Sequence, residues 1–459
     1  MTDHPKSHVT INTPVQFQDA LPDKVDVAII GAGVVGIFSA LYLSRMGKSV
    51  VVVEKGRVAC EQSSRNWGWI RQQGRDAAEL PIMIEANRLW RDVDQQTQGK
   101  CGVVNAPINF LRGQGANLAG TGARSQEYEK WIELAKEHGI ASKILSSAEI
   151  DKIFGDSSVK KWVTGISTPS DLKGEPWVAV PTVAKLAQEN GVLIRENCAV
   201  RMLDIAAGQI KGVITEDGAI ACEQVILAAG AWSSLFARNH GIHIPQLAVR
   251  GDVAQTKPLE EFTSQTSLDE ELALRRRQDG GYTLSLCDTH TAYIGPDAFR
   301  HFRQYIPAIL KGWRHIKLSL NAPQDFPDAW QTKRKWGRED ISPFEKCRVL
   351  EPKPDQKNIR KMVERFSARF PKIGPPEIAH SWAGMIDTMP DFVPIVDQTP
   401  QYSNLIIATG LSGHGFGIGP GFGMAIARMV TGQLPDHDMS RFRFKRFNDG
   451  SALELGPSL

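Results

Sequence analysis

The sequence predicts an α/β fold, and three stretches predict it. Residues 25–30, "VDVAII", are an apolar run with one acid that leads directly into "GAGVVG", with glycines at Gly31, Gly33 and Gly36; "IFSALYLSRMG" then reads as a helix and "SVVVVE" as a second strand ending at Glu54. Residues 223–234, "EQVILAAGAWSS", are an apolar strand running into Ala229, Gly230 and Trp232. Near the other end, "NLIIAT" (404–409) reads as a short buried strand, "GLSGHGFGIGPGFG" (410–423) as a glycine loop and "MAIARMVTG" (424–432) as a helix closing on glycine.

The first of these units carries a specific chemistry. GxGxxG after a strand and before a helix, with an acid about twenty residues beyond, is the βαβ fingerprint for a dinucleotide. The first glycine allows a tight turn, the second lets the backbone approach a pyrophosphate, and the helix N-terminus faces the negative charge. Glu54 favours a ribose with a free 2′-hydroxyl, because a carboxylate repels a 2′-phosphate; FAD and NAD both qualify and NADP fits poorly.

Composition bounds the rest. At 459 residues the chain is long enough for two or three domains. With 42% hydrophobic and 23% charged residues it is neither disordered nor a membrane bundle, and a net charge of +3 is too slight to argue for nucleic acid. The start, "MTDHPKSHVTINTPVQF", lacks a basic-then-apolar leader pattern, and no apolar run reaches the length that spans a bilayer, so a cytoplasmic location is expected. Six cysteines (Cys60, Cys101, Cys198, Cys222, Cys287, Cys347) are scattered without a CxxC pair, which fits reduced thiols and predicts no metal site.

Two further stretches favour a flavin over a nicotinamide. "CEQSSRNWGWIRQQGRD" (60–76) begins six residues after Glu54 and mixes small, polar and aromatic residues, and "WAG" occupies 382–384. Together, "VAIIGAGVVGIFSALYLSRMGKSVVVVEK", "SSRNWGW", "AAGAWS", "WAG" and "GLSGHGF" resemble the FAD-dependent D-amino acid oxidase superfamily, in its branch with glycine oxidase, sarcosine oxidase and bacterial D-amino acid dehydrogenases. They lie in the family's order between residue 25 and about residue 432.

The resemblance implies an α/β fold (α+β overall): a discontinuous Rossmann-type FAD-binding domain from residues 1–99, 171–245 and 378–459, and a second, antiparallel-sheet substrate domain from 100–170 and 246–377. It implies non-covalent FAD held by Gly31, Ala32, Gly33, Val34, Val35, Gly36, Glu54 and Lys55, by Ser63, Ser64, Arg65, Asn66, Gly68 and Trp69, and by Val200, where backbone meets adenine. Ala229, Gly230, Trp232, Gly384, Gly413, His414, Gly415 and Phe416 complete the set, with residues 410–416 passing alongside the isoalloxazine ring. On its own terms, 180–218 supports this with a helix, a strand and a strand–turn–strand around Gly208, and 280–295 has two strand-like segments around a polar turn.

The implied reaction is oxidation of an amino acid or secondary amine at the carbon next to nitrogen, by hydride transfer to flavin N5. The resulting imine hydrolyses to an oxo product. Such chemistry needs orientation more than acid–base machinery, so the absence of a Ser/His/Asp triad is expected. Arg71 is the candidate partner of a substrate carboxylate, against a structural ion pair. His414 either tunes the flavin and meets the substrate or packs on the ring without a proton role. Tyr282 either projects over the ring from a roof strand or is an ordinary half-buried strand tyrosine; Trp67, Trp69 and Trp336 are candidate pocket walls.

Two departures weaken the specific case for sarcosine. Gly384 stands where sarcosine oxidase has its flavin-linking cysteine, and Gly417 where that branch has a carboxylate-binding lysine. The electron acceptor is open between oxygen and a quinone or electron carrier. A basic, apolar stretch at 298–320 is either a lid or core helix with a solvated face, or a contact to an anionic membrane surface on the inner side, with Pro307 breaking or kinking a continuous helix. The alternatives to amine oxidation are an FAD-dependent hydroxy-acid dehydrogenase and a flavoprotein subunit passing electrons to a partner.

Overall fold

Five of the apolar runs lie side by side as parallel strands, in the order Leu193–Arg195, Val50–Val53, Lys24–Ile30, Ala219–Leu227 and Leu405–Thr409. The computed structural model describes residues 7–113, 121–160, 162–312 and 316–456. An antiparallel meander of Val200–Ala206, Gln209–Thr215 and Ala219–Leu227, and the strand Ile395–Gln398, complete an eight-stranded sheet. Val50–Val53 and the C-terminal ends of Lys24–Ile30 and Ala219–Leu227 are apolar and buried throughout because both faces are covered there. Val27, Ile29, Val50 and Val52 pack with helices Val34–Arg45, Pro176–Glu189, Glu79–Gln96 and Gly415–Val430, whereas Ala28, Ile30, Val51 and Val53 pack toward Leu203, Trp232 and Phe236.

The last of those helices begins nine residues before the expected start at 424. Its glycines are packing surfaces. A Cβ on Gly419 or Gly423 would lie 2.7 Å from Val34 Cγ2 or Phe38 Cβ, and one on Gly421 would lie 2.5 Å from the Ile82 carbonyl oxygen. The bare backbone therefore wedges between helices Val34–Arg45 and Glu79–Gln96, and that contact overrides the poor helix propensity of glycine. Pro420 lies inside the helix and cannot donate to the carbonyl of Phe416. Trp90 Nε1 supplies the missing donor, at 3.2 Å from Phe416 O and 3.1 Å from Gly417 O.

A ten-stranded, largely antiparallel sheet forms the second layer. Its centre is Leu247–Thr256, paired along one edge with Ile378–Thr388 and along the other with both Tyr282–Leu286 and His290–Tyr293. The sheet continues through Leu272–Arg276, Thr266–Leu268, Ile108–Gly113, Trp162–Thr168 and Lys143–Ser146. Strand Ile378–Thr388 is hydrogen-bonded into this sheet over its whole length, so a boundary at 378 assigns a strand of the second sheet to the first unit; the register puts the change of sheet after Thr388.

Period-two alternation sorts this sheet's faces. Leu111, Ala254, Tyr282, Leu284 and Leu286 pack with Ile359, Met362 and Phe366 of helix Gln356–Arg369. Phe110, Arg112, Val253, Ser285 and Cys287 point the other way, into the space between the two sheets. In 298–320, two short helices, Pro296–Arg300 and Phe302–Gly312, meet at His301, and Pro307 is accommodated inside the second. Residues 313–315 of that stretch lie outside the described residues.

Candidate active site

A cavity of about 460 Å³ lies between the sheets, and the two ends of the chain meet in it. Gly31, Gly33, Val34 and Val35 line it from the first turn, Ala229, Gly230 and Trp232 from the turn after strand Ala219–Leu227, and Gly413, His414, Gly415 and Phe416 from the C-terminal loop and the start of its helix. Glu54, Lys55, Ser63, Arg65, Asn66, Trp67, Trp69, Arg71, Val200 and Gly384 also line it. The turn is a cradle that side chains would fill. Gly31 has φ of +104°, and a Cβ there would lie 2.6 Å from Ala228 O.

Glu54 serves the turn as well as the cavity. Ala32 N donates to its Oε2 at 2.9 Å and Gly56 N to its Oε1 at 2.8 Å, while burial raises its carboxyl above the ordinary value. Lys55 lies 4.2 Å from the centre of the Trp232 ring and donates to Glu61 Oε1 at 2.7 Å; Trp232 Nε1 donates to the same oxygen at 3.0 Å. Burial pushes Glu61 up, but Lys55 and Arg65 outweigh it and leave the carboxyl below its ordinary value. Arg65 Nη1 donates to Leu350 O, and its Nε and Nη2 are buried without a hydrogen-bond partner. These features fit a phosphate-bearing dinucleotide: a bare turn, a buried acid beside it and buried donors left over.

Not every expected residue reaches the cavity. Ala32, Gly36, Ser64 and Gly68 stand behind its wall. A Cβ on Gly36 would lie 2.1 Å from Gly31 O, and one on Gly68 would lie 2.4 Å from Gly174 O, so both permit backbone contacts that shape the loops. Ser64 Oγ accepts a hydrogen bond from Val9 N at 3.1 Å. Tyr282 is the clearest correction. It is fully buried on the opposite face of its strand, stacked on Phe262 with ring centres 4.7 Å apart, and its hydroxyl donates to Thr263 O at 2.8 Å. Ser285 and Cys287, of opposite parity on that strand, line the cavity instead. Trp336 donates from Nε1 to Arg201 O at 2.7 Å and stands behind Phe344, which is the residue that lines the wall.

The sequence reading also missed residues that the fold brings in. Asp387 accepts Gly410 N at 2.7 Å and Gln246 Nε2 at 3.0 Å, and Gln246 Nε2 also lies 3.0 Å from Gly230 O, so one buried cluster ties three distant loops together. Glu79 is fully buried, and its Oε2 lies 3.4 Å from His414 Nδ1. Burial, then Arg75, lowers the His414 imidazole to about 4, so it is neutral at pH 7. Arg71 lies 5.1 Å over the Phe110 ring and donates from Nη1 to Gln73 O at 2.6 Å; burial, then Arg75, pushes its guanidinium below the ordinary value. No single residue of Glu79, Gln246 or Asp387 carries a local motif, because each acts through partners far away in sequence.

Comparison with known proteins places this geometry. Residues 26–429 match the family described as DAO, FAD dependent oxidoreductase. The chain is 23% identical over 426 residues to monomeric sarcosine oxidase of Arthrobacter sp. strain TE1826, covering 92% of this chain and 96% of that one. It is 22% identical over 435 residues to human mitochondrial sarcosine dehydrogenase, covering 93% of this chain but 42% of that protein, so it spans about two fifths of that relative's length. Among solved structures, L-amino acid deaminase from Proteus myxofaciens in complex with anthranilate superposes with a TM-score of 0.88 at 26% identity, over 97% of this chain and 98% of that one.

Proposed function

The chain belongs to the FAD dependent oxidoreductase family, and from that premise we propose that it oxidises an amino acid or secondary amine at the carbon next to nitrogen, giving an imine that water converts to an oxo product. The observation that carries this reading is that Arg71, whose guanidinium meets the Gln73 carbonyl and the Phe110 ring and no carboxylate within ion-pair range among the described residues, shares one cavity with the glycine turn and the 410–416 loop. A carboxylate is the natural ligand of such a group.

FAD, when bound, supplies the two-electron acceptor. The turn at Gly31 and Gly33 and the amide of Val35 would take its pyrophosphate, with Val34 N donating to Ser63 Oγ at 2.9 Å; Glu54 would take its ribose, Val200 its adenine and the 410–416 loop its ring. Binding is non-covalent on this reading. No nucleophile stands at Gly384, where an added Cβ would already lie 3.3 Å from Arg65 Cβ. Gly417 is packed in the helix rather than lining the cavity, and a Cβ there would meet Met83 Cε at 3.3 Å and Ile70 Cα at 3.4 Å.

An amine is favoured over an alcohol by the state of His414. With its imidazole at about 4 it is a weak base at neutral pH, and an alcohol needs a base for its hydroxyl proton, whereas an amine arriving unprotonated needs none. The sarcosine oxidase, sarcosine dehydrogenase and amino acid deaminase relatives point the same way. The test is the pH profile of kcat/KM with amino acids and hydroxy acids: a rate that climbs toward the substrate amine's pKa supports the reading, and faster turnover of hydroxy acids overturns it.

The acceptor has its own observation. Phe299, Phe302, Leu310, Leu318, Leu320 and Trp330 are exposed, and Arg300, Arg303 and Lys317 lie among them. Tyr305 anchors the same helix from its inner side, donating to Thr388 O at 2.6 Å. An apolar surface with basic residues suits the face of an anionic bilayer and, through it, a quinone as electron acceptor. Among the described residues no helix is long and apolar enough to cross a membrane.

A further inference from the structure

The loop that carries Arg71 brings in a second guanidinium, and the roof brings in a third. Gly74, with φ of +66°, turns the chain so that Arg75 Nε donates to Arg71 O at 3.1 Å and both side chains line the cavity. Arg75 is 5% exposed, and its Nη1 has no hydrogen-bond partner. Neither arginine makes an ion pair among the described residues, although the buried carboxylates of Glu79 and Asp171 act electrostatically on both. Arg112 enters from strand Ile108–Gly113, on the same face as Phe110 and about 7 Å further along. Its only carboxylate within ion-pair range among the described residues is Glu270, at 3.8 Å, and its Nε donates to Tyr128 OH at 3.1 Å. Phe110 and Arg112 thus share the cavity-facing side of one strand, and Arg71 packs over the Phe110 ring, 5.1 Å from its centre.

The cavity's own carboxylates do not answer this charge. Glu54 is taken by Ala32 N and Gly56 N, Glu61 by Lys55 and Trp232, and Asp387 by Gly410 N and Gln246. A substrate with one carboxylate, taken by the Arg71–Arg75 pair, would leave Arg112 with Glu270 alone, at 3.8 Å and beyond hydrogen-bond distance. A substrate with two would meet both sites and lay the carbons between them on Phe110.

Resting on the amine-oxidising reading above, we propose that the substrate is a dicarboxylic amine, with one carboxylate held by Arg71 and Arg75 and the second, a short aliphatic chain away, by Arg112. The site then selects by charge: a neutral side chain adds nothing to the 3.8 Å contact that Arg112 has with Glu270, and a basic one is repelled.

The test uses the FAD-loaded protein and two unreactive probes of similar length, glutarate and butyrate, titrated by calorimetry and by the shift of the flavin absorption band. Glutarate binds about ten-fold or more tightly than butyrate, as expected for one further charge-assisted contact. Arg112→Gln brings glutarate down to the butyrate value, and Arg112→Lys recovers part of the difference. Equal affinities in the parent protein, or a glutarate preference that Arg112→Gln leaves in place, overturn the proposal. A glutarate preference without flavin reduction by any amine would remove the proposed reaction and leave the two-carboxylate site standing. Reduction by neutral amino acids without a glutarate preference would do the reverse.

Discussion

Gly36 shows how much of the site rests on one missing atom. A Cβ there would lie 2.1 Å from the backbone oxygen of Gly31, the residue whose φ of +104° makes the cofactor turn. Backbone cannot yield as a side-chain end can, so Gly36→Ala is expected to cost about 3 kcal/mol or more and to strip FAD from whatever protein still folds. Thermal midpoint and flavin content of the purified variant check this together. His240 carries a pH prediction. Its Nε2 accepts a hydrogen bond from Leu203 N at 3.2 Å, so it must be neutral, and burial lowers its imidazole from 6.5 to about 4. Between those values the unfolded chain binds a proton that the folded one refuses, so stability falls as pH drops through that window. His414 acts in the same direction over the same range, whereas Asp171, raised by burial to about 7, opposes both. His240→Gln keeps an acceptor for Leu203 N and should flatten the decline of the melting temperature from pH 6.5 to 4; an unchanged slope would count against this. The sequence held both glycines of the turn in plain view, because their spacing is local. It could have placed Tyr282 correctly too: in "YTLSLC" the apolar set Tyr282, Leu284, Leu286 alternates with Thr283, Ser285, Cys287, and the apolar set follows the core.

At the scale of elements, the helix Gly415–Val430 was legible only in its second half. Its first half is rich in glycine with one proline, which local propensity assigns to a loop, and two packed helices together with the Trp90 indole hold it in shape instead. Gly423→Ala separates those effects. Helix propensity alone predicts a gain of about 1 kcal/mol, but the new Cβ would lie 2.7 Å from Phe38 Cβ and 2.9 Å from Ser39 N, and overpacking of that kind costs about 1–3 kcal/mol. A lower melting temperature is therefore expected, and a higher one would show that the helices can part. The other element with a consequence is the pair Pro296–Arg300 and Phe302–Gly312. The basic-apolar alternation was legible in the sequence; which apolar side chains face outward was not, since that depends on Tyr305 and Ala308 being buried on the inner side. Purified protein should co-sediment with anionic vesicles at low salt and not with neutral ones, and Phe302→Glu with Leu310→Glu should abolish this. Failure of the parent protein to sediment would remove the membrane-surface reading.

Across the whole molecule, residues separated by almost the full chain form one cavity: Gly31 and His414 line the same space, and Asp387 and Gln246 tie the loops at 230 and 410 to the second sheet. The fold class was legible because a βαβ unit writes itself in consecutive residues. The roof was not, because it draws on strands far apart in sequence: Phe110 and Arg112 come from a strand that pairs with Thr266–Leu268, more than a hundred residues away, and Ser285 and Cys287 from the end of a local hairpin. The unity of the cavity makes a single spectroscopic experiment decisive for the account. Under anaerobic conditions the purified protein should show a flavin spectrum between about 300 and 550 nm. Adding an amino acid or N-substituted amine, dicarboxylic ones foremost, should bleach that band. Air should then restore it rapidly in an oxidase or slowly in a quinone-coupled dehydrogenase. A protein that shows no flavin band and binds no added FAD, or a flavin that no amine reduces, would contradict it.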